Sequence, residues 1–124
     1  MKEIMFTELA PKAIGPYSQA VATEALVYTS GQLGIDMSTG KLADGVENQA
    51  RCAMNNLSSI LAAKGLTVSS ILKTTIFLAD MADFATVNAV YASYFPGDYP
   101  ARSCVQVAAL PLGGRVEIEC VAAR

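Results

Sequence analysis

The sequence predicts an α+β fold: a mixed β-sheet with two helices packed on one face. Three observations carry this expectation. Two segments place apolar residues three and four positions apart, as one face of a helix requires. The closing segment alternates apolar and polar residues, as a half-buried strand does. The elements run strands, helix, strand, helix, strand, strand, the pattern of an α+β layer rather than of repeated βαβ units. The 124 residues show no repeat, linker or low-complexity tract. The reading is therefore one domain, 1–124, of a size that buries roughly two-thirds of its unfolded surface.

Each element follows from local chemistry. Lys2 to Phe6 reads as a short first strand. The two prolines and the glycine of Pro11–Pro16 read as an ordered loop. Tyr17 to Ala22 and Leu26 to Ile35 read as strands, the second interrupted by Gly31, which marks a bulge or a close approach. Asp36 to Gly40 has turn composition. Val46 to Lys64 is the first helix, with Val46, Ala50, Ala53, Met54, Leu57, Ile60 and Leu61 in one stripe, Asp44 as expected N-cap and Gly65 as stop. Ile71 to Leu78 is a strand. Asp83 is the expected cap of a second helix lined by Phe84, Val87, Val90, Tyr91 and Tyr94 and ended by Pro96. Ser103 to Ala109 and Arg115 to Ala122 are the last strands, separated by the turn Pro111–Gly114. A hairpin of these two strands would bring Arg102 and Glu117 together at the end away from the turn.

Composition narrows the function. Hydrophobic residues make up 52% and charged residues 16%, against about 25% charged in an average domain. The surplus apolar surface, with helices on only one sheet face, points to an oligomer whose subunits cover the other face. Net charge is −2 and the nine Lys and Arg are scattered, which argues against nucleic acid as main partner. The start lacks the apolar stretch of a secretory signal, and no run approaches the roughly 18 apolar residues of a membrane span. Cys52, Cys104 and Cys120 are widely spaced and odd in number, as expected of reduced thiols in a cytoplasmic protein. Histidine is absent. That removes Ser-His and Cys-His catalysis and the commonest metal ligand, leaving acid–base work to carboxylates, Tyr, Lys, Cys or water.

A few residues suit chemistry. Arg102 opens a largely apolar strand, and a guanidinium is shaped for two-pronged capture of a carboxylate. Glu117 and Glu119 share one strand face, opposite Val116, Ile118 and Cys120; one of the pair lining a cleft would handle a proton or a water. Cys104 has no histidine or metal spacing near it and reads first as a packed thiol. Tyr17 reads first as a packing residue after the Gly15-Pro16 turn.

Together the motifs resemble the RidA (YjgF) family, in that family's order: Ala13-Ile14-Gly15-Pro16-Tyr17-Ser18-Gln19, Thr29-Ser30-Gly31-Gln32, Gln49-Ala50-Arg51, Lys73 to Leu78, Asp83 to Asn88, Pro100 to Val107 and Val116 to Glu119. The match covers about residues 4 to 123. The sequence departs from the pattern at Ala109-Leu110-Pro111-Leu112-Gly113-Gly114, which lacks the charged residues many members place there, and in its compact loop at Pro96–Tyr99.

The resemblance implies a chorismate-mutase-like fold and a homotrimer with clefts between subunits. It also implies hydrolysis of 2-iminobutanoate and 2-iminopropanoate to 2-keto acids and ammonia, without metal or organic cofactor. These imines and enamines are released by pyridoxal-phosphate-dependent dehydratases, the implied functional partners. By the same resemblance Arg102 and Glu117 are catalytic, Tyr17, Ser30, Gly31, Arg102 and Cys104 bind substrate, and Asn88 matches a family position with a structural role. The competing readings are a non-enzymatic module that binds small carboxylates in the same cleft, a ribonuclease and a chorismate mutase. The missing histidine and the acidic charge weigh against the ribonuclease. A single motif-borne cation, Arg102, weighs against a mutase acting on a dianion.

Overall fold

The computed structural model describes residues 1–124. Its strands are β1 (Glu3–Met5), β2 (Ala20–Ala22), β3 (Leu26–Thr29), β4 (Gln32–Leu33), β5 (Ile35–Asp36), β6 (Lys41–Leu42), β7 (Ile71–Leu78), β8 (Ala101–Gln106) and β9 (Val116–Ala123). The helices are α1 (Gly45–Ala62) and α2 (Phe84–Ala92). The main sheet runs β1-β2-β3-β9-β7-β8, with β4 also paired to β9. Every pairing in it is antiparallel except β7–β8. A separate ribbon joins β5 to β6. No helix is long and apolar enough to cross a membrane.

The two helices cover one sheet face, as the apolar stripes require. Met54, Leu57, Ile60 and Leu61 of α1 and Val87 of α2 are almost fully buried with Ile76, Leu78, Val116 and Ile118 of the central strands. α1 closes as expected around Gly65 (φ 70°): Leu66 N–H donates to Leu61 O at 3.1 Å and Gly65 N–H to Ala62 O at 2.9 Å, the double bond of a Schellman stop.

Several expectations need correction. The expected strand 26–35 is three short pieces, because backbone and side chains crowd it at two glycines. A Cβ on Gly34 would collide with the α1 backbone at Gln49, and one on Gly31 would lie 2.7 Å from the Glu117 carboxyl carbon. Neither Asp44 nor Asp83 caps its helix with its side chain. Asn48 Nδ2 donates instead to Asp44 O at 3.0 Å, and Asp83 accepts from Arg115 Nη2 at 2.9 and 3.0 Å. Asp80 does the capping, accepting from Ala82 N–H at 2.9 Å in the 3-10 turn before α2. α2 also stops at Ala92, ahead of Pro96.

The largest correction is topological. β8 and β9 do not form a hairpin. β7 lies between them, parallel to β8 and antiparallel to β9. The segment from Val107 to Arg115 therefore crosses over β7 instead of turning tightly back.

Candidate functional site

The alternation of β9 sets the first half of the site. Val116, Ile118, Cys120 and Ala122 are buried under the helices, and Glu117, Glu119 and Val121 point to the other face. That face has no helix on it and carries Tyr28 and Val105 with much of their surface exposed. Glu117 and Glu119 line a groove of about 880 Å³ with Tyr17, Ser30, Gly31, Leu33 and Leu112 among its walls. Neither carboxylate forms an ion pair. Burial pushes the Glu117 carboxyl above the usual carboxylate range, and the neighbouring Glu119 charge adds to the rise. Gly31 leaves room here, because a side chain at this position would displace the Glu117 carboxylate.

The groove is roofed by the loop from Thr7 to Ser18, and one buried side chain holds that loop. Gln19 accepts from Thr7 N–H at 2.8 Å and donates to the carbonyls of Thr7, Ala10 and Pro11 at 3.0, 3.3 and 2.9 Å. Ser30 donates its hydroxyl to Ser18 O at 2.6 Å, so its oxygen lone pairs remain for a ligand. Tyr17 accepts from Ile14 N–H at 3.3 Å and stays half-exposed at the groove.

Arg102 and Cys104 occupy a different place. β8 aligns Arg102 with Thr74 and Cys104 with Ile76, both on the helix-bearing face. Arg102 Nη1 donates to Asn88 Oδ1 at 2.7 Å. Its guanidinium lies 5.0 Å from the Tyr91 ring centre and 5.5 Å from that of Phe84, within the range of cation–π attraction. Tyr91 is itself fixed by a 2.8 Å hydrogen bond to buried Thr74. No carboxylate pairs with Arg102, and it borders a cleft of about 440 Å³ with Tyr99 and Pro100. Burial raises the Cys104 thiol above its usual value, an effect the Arg102 charge only partly offsets, so Cys104 keeps its proton near neutral pH.

Within one chain these residues form two separate groups. Tyr17, Ser30, Gly31 and Glu117 gather in the groove. Arg102 and Cys104 gather at the edge of the opposite sheet face. The expected approach of Arg102 to Glu117 fails because the hairpin does not exist. With Arg102 level with Cys120 across β7, the two Cα atoms are separated by two strand spacings and three residues, roughly 14 Å.

Asn88, expected to have a structural role, holds Arg102, while Phe84 and Tyr91, expected only as apolar helix residues, also pack on its guanidinium. Phe84, Asn88 and Tyr91 recur at spacings of four and three on α2, which places all three on one side of the helix. Gln19 and Gln49 stand within the motifs quoted above, but nothing local predicts their hydrogen-bond partners. Gln49 accepts from Arg115 N–H at 2.9 Å and donates to Ala43 O at 3.1 Å, across 66 residues in the first case.

Comparison with known proteins bears on the family and the fold. A family model described as Endoribonuclease L-PSP matches residues 7–124. A mouse protein named 2-iminobutanoate/2-iminopropanoate deaminase is 51% identical over 98% of this chain and 91% of its own length. A Salmonella typhimurium protein of the same name is 48% identical over 100% and 99%. The chain spans 65% of a chloroplastic Reactive Intermediate Deaminase A from Arabidopsis thaliana, at 54% identity. Among solved structures, E. coli TdcF with bound serine superposes with a TM-score of 0.95 at 46% identity, covering 98% of each chain. The YjgF gene product of E. coli does so at 0.95 and 45%, again covering 98% of each. The motifs, the fold and these full-length likenesses lead to one conclusion: the chain belongs to the RidA (YjgF) family, whose family model bears the Endoribonuclease L-PSP description.

Proposed function

We propose that this chain hydrolyses small 2-imino acids, and their enamine tautomers, to 2-keto acids and ammonia. Full-length relatives about half identical to it bear that activity in their names. The observation in the molecule that carries the reading is Glu117, a partly buried, unpaired carboxylate of raised proton affinity in a walled groove. The serine held by TdcF, a small 2-amino carboxylate, supports a site for ligands of this size and charge.

The balance of the reaction assigns the work. A protonated imine is electrophilic at C2 and needs no nucleophilic side chain. Water attacks C2 while ionised Glu117 takes one of its protons, giving a neutral carbinolamine. Protonated Glu117 then returns that proton to the nitrogen. The C–N bond breaks, the hydroxyl oxygen forms the new C=O, and its proton leaves with ammonia as ammonium. A carboxyl group whose proton affinity is raised toward neutral pH suits both transfers. Arg102 clamps the substrate carboxylate with the donors that Asn88 leaves free. Tyr17, Ser30 and Gly31 shape the plane, and the protonated Cys104 thiol offers a weak hydrogen bond. No covalent or metal-bound step is needed in this scheme.

One chain cannot place Arg102 and Glu117 on one small substrate, because they lie on opposite faces of its sheet. The reading therefore includes a homotrimer in which Arg102 of one copy meets the Glu117 groove of the next. The uncovered face with Tyr28 and Val105 supplies apolar surface for such contacts, and head-to-tail contacts around a threefold axis close into a ring. The same reading puts the chain beside pyridoxal-phosphate-dependent dehydratases, which release such imines, in a reducing compartment such as the cytoplasm.

The test couples the purified protein to a threonine dehydratase, with semicarbazide trapping free imine. Keto acid should appear faster and semicarbazone should fall as protein is added. An unchanged partition overturns the enzymatic reading and leaves a binding module for small carboxylates, for which calorimetry with pyruvate is the check.

A further inference from the structure

Arg102 is held in place without a counter-charge. Of the five N–H donors of a guanidinium, one reaches Asn88 Oδ1 at 2.7 Å, and no carboxylate pairs with the group. A single hydrogen bond fixes one point of the guanidinium and leaves its plane free to swing about that point. A two-pronged grip on a carboxylate needs the plane fixed as well. The Tyr91 ring, whose centre lies 5.0 Å from the guanidinium carbon, offers the aromatic face on which such a plane settles.

Tyr91 carries a tether that its place in the core does not require. It is almost fully buried, and its hydroxyl meets the Thr74 hydroxyl, also fully buried, at 2.8 Å. Thr74 stands on β7 in register with Arg102 on β8 and with Cys120 on β9. The bond therefore ties a ring of α2 to the strand position next to the arginine. Phenylalanine over valine would fill nearly the same space, and replacing both partners of a buried hydrogen bond by apolar groups of the same shape can be close to neutral. What the hydroxyl pair adds is orientation, because a satisfied buried polar pair selects one arrangement of the groups it joins. Phe84, the second ring near Arg102 at 5.5 Å, is partly exposed and has no such tether.

Resting on the deaminase reading above, we propose that Tyr91, locked by Thr74, is a positioning residue for the Arg102 clamp. The pair touches neither substrate nor water. It sets the tilt of the ring, the ring sets the plane of the guanidinium, and the guanidinium meets the substrate carboxylate with the donors that Asn88 leaves free.

The test separates orientation from stability. Tyr91→Phe combined with Thr74→Val removes the bond and keeps the shapes. Its unfolding midpoint and oligomeric mass should stay close to wild type, while KM for 2-iminopropanoate rises about threefold or more and kcat changes less. Tyr91→Leu removes the ring and should raise KM by about tenfold. In an Arg102→Gln background neither change should have a further effect, since each acts through the guanidinium. An unchanged KM, or equal losses in both backgrounds, makes the pair a packing feature and overturns the proposal. The shape-keeping double variant decides alone if Tyr91→Leu does not assemble. If wild type turns over no imine, the deaminase reading fails by itself, and the positioning role is judged by NMR of the Arg102 Nε–H signal, assigned by its loss in Arg102→Gln. The Tyr91 ring current should displace that signal from those of Arg51, Arg115 and Arg124, and Tyr91→Leu should return it toward them. A signal that Tyr91→Leu leaves in place overturns the role.

Discussion

The groove at Glu117 and the corner at Arg102 are built in opposite ways. The groove lies on the bare sheet face, carries two carboxylates that form no ion pair, has Lys12 among its walls, and is bordered by a loop tied down through Gln19. The corner lies under α2 on the covered face and carries a cation without a carboxylate, fixed by Asn88 and two aromatic rings. The corner holds a guanidinium and no carboxylate, and the groove two carboxylates and no guanidinium. On the proposed reading, neither alone brings both Arg102 and Glu117 to one small substrate. The difference teaches that two residues read together from the sequence can lie on opposite faces of one sheet, so that on the proposed deaminase reading assembly becomes part of the chemistry.

Substitutions in the two halves should therefore fail in different ways. Glu117→Gln removes the proton shuttle and keeps the shape, and should lower kcat by about 10²–10⁴-fold. Pyruvate binding by calorimetry should persist. Full activity in Glu117→Gln would remove the proposed role of the groove. Arg102→Lys keeps the charge but loses the planar fork and its stacking. It should cost about 2 kcal/mol or more in kcat/KM, in the range of a charged hydrogen bond, and here pyruvate binding should weaken with it.

Acid should sharpen the contrast. The folded-state proton affinity of Glu117 is raised, so wild-type kcat/KM should fall as pH drops through a value above the usual carboxylate range. Stability has the opposite sign. A carboxyl with a raised folded pKa favours the folded state when protonated, and that contribution is lost as pH rises through the folded value. Glu117→Gln should hence raise the unfolding midpoint at neutral pH, with the gain shrinking in acid. Thermal unfolding followed by circular dichroism at several pH values measures this; an equal gain at every pH would contradict it.

The smallest effect belongs to Cys104. Its thiol is protonated and next to the core, so Cys104→Ser should retain at least about a tenth of the wild-type rate, because no thiolate is used. A loss beyond a thousandfold with the oligomer intact would make the thiol a participant.

The sequence made one face of the sheet readable and hid how the strands lie beside each other. Alternation in β9 separated Glu117 from Ile118 correctly, since a side-chain period of two needs no tertiary information. The stripe from Val46 to Leu61 located α1 for the same kind of reason. Gly31 was visible as a break, and the crowding against Glu117 is its cause. The partner of β8 was not visible. Ala101–Gln106 pairs in parallel with β7 across more than twenty residues, and no local signal distinguishes that from a hairpin with β9. The distance between Arg102 and Glu117 depended on that choice alone.

Mixing two crippled variants tests the division of the site between copies most directly. Arg102→Lys and Glu117→Gln proteins, each far below wild-type activity, are unfolded and refolded together so that mixed oligomers form. In a ring whose sites each take Arg102 from one copy and Glu117 from the next, random assembly restores about a quarter of the sites. Activity should rise to about that fraction of wild type, while each variant refolded alone stays low. Mixed oligomers, verified by mass, that show only the average of the two variants would contradict a shared site and return both residues to separate roles.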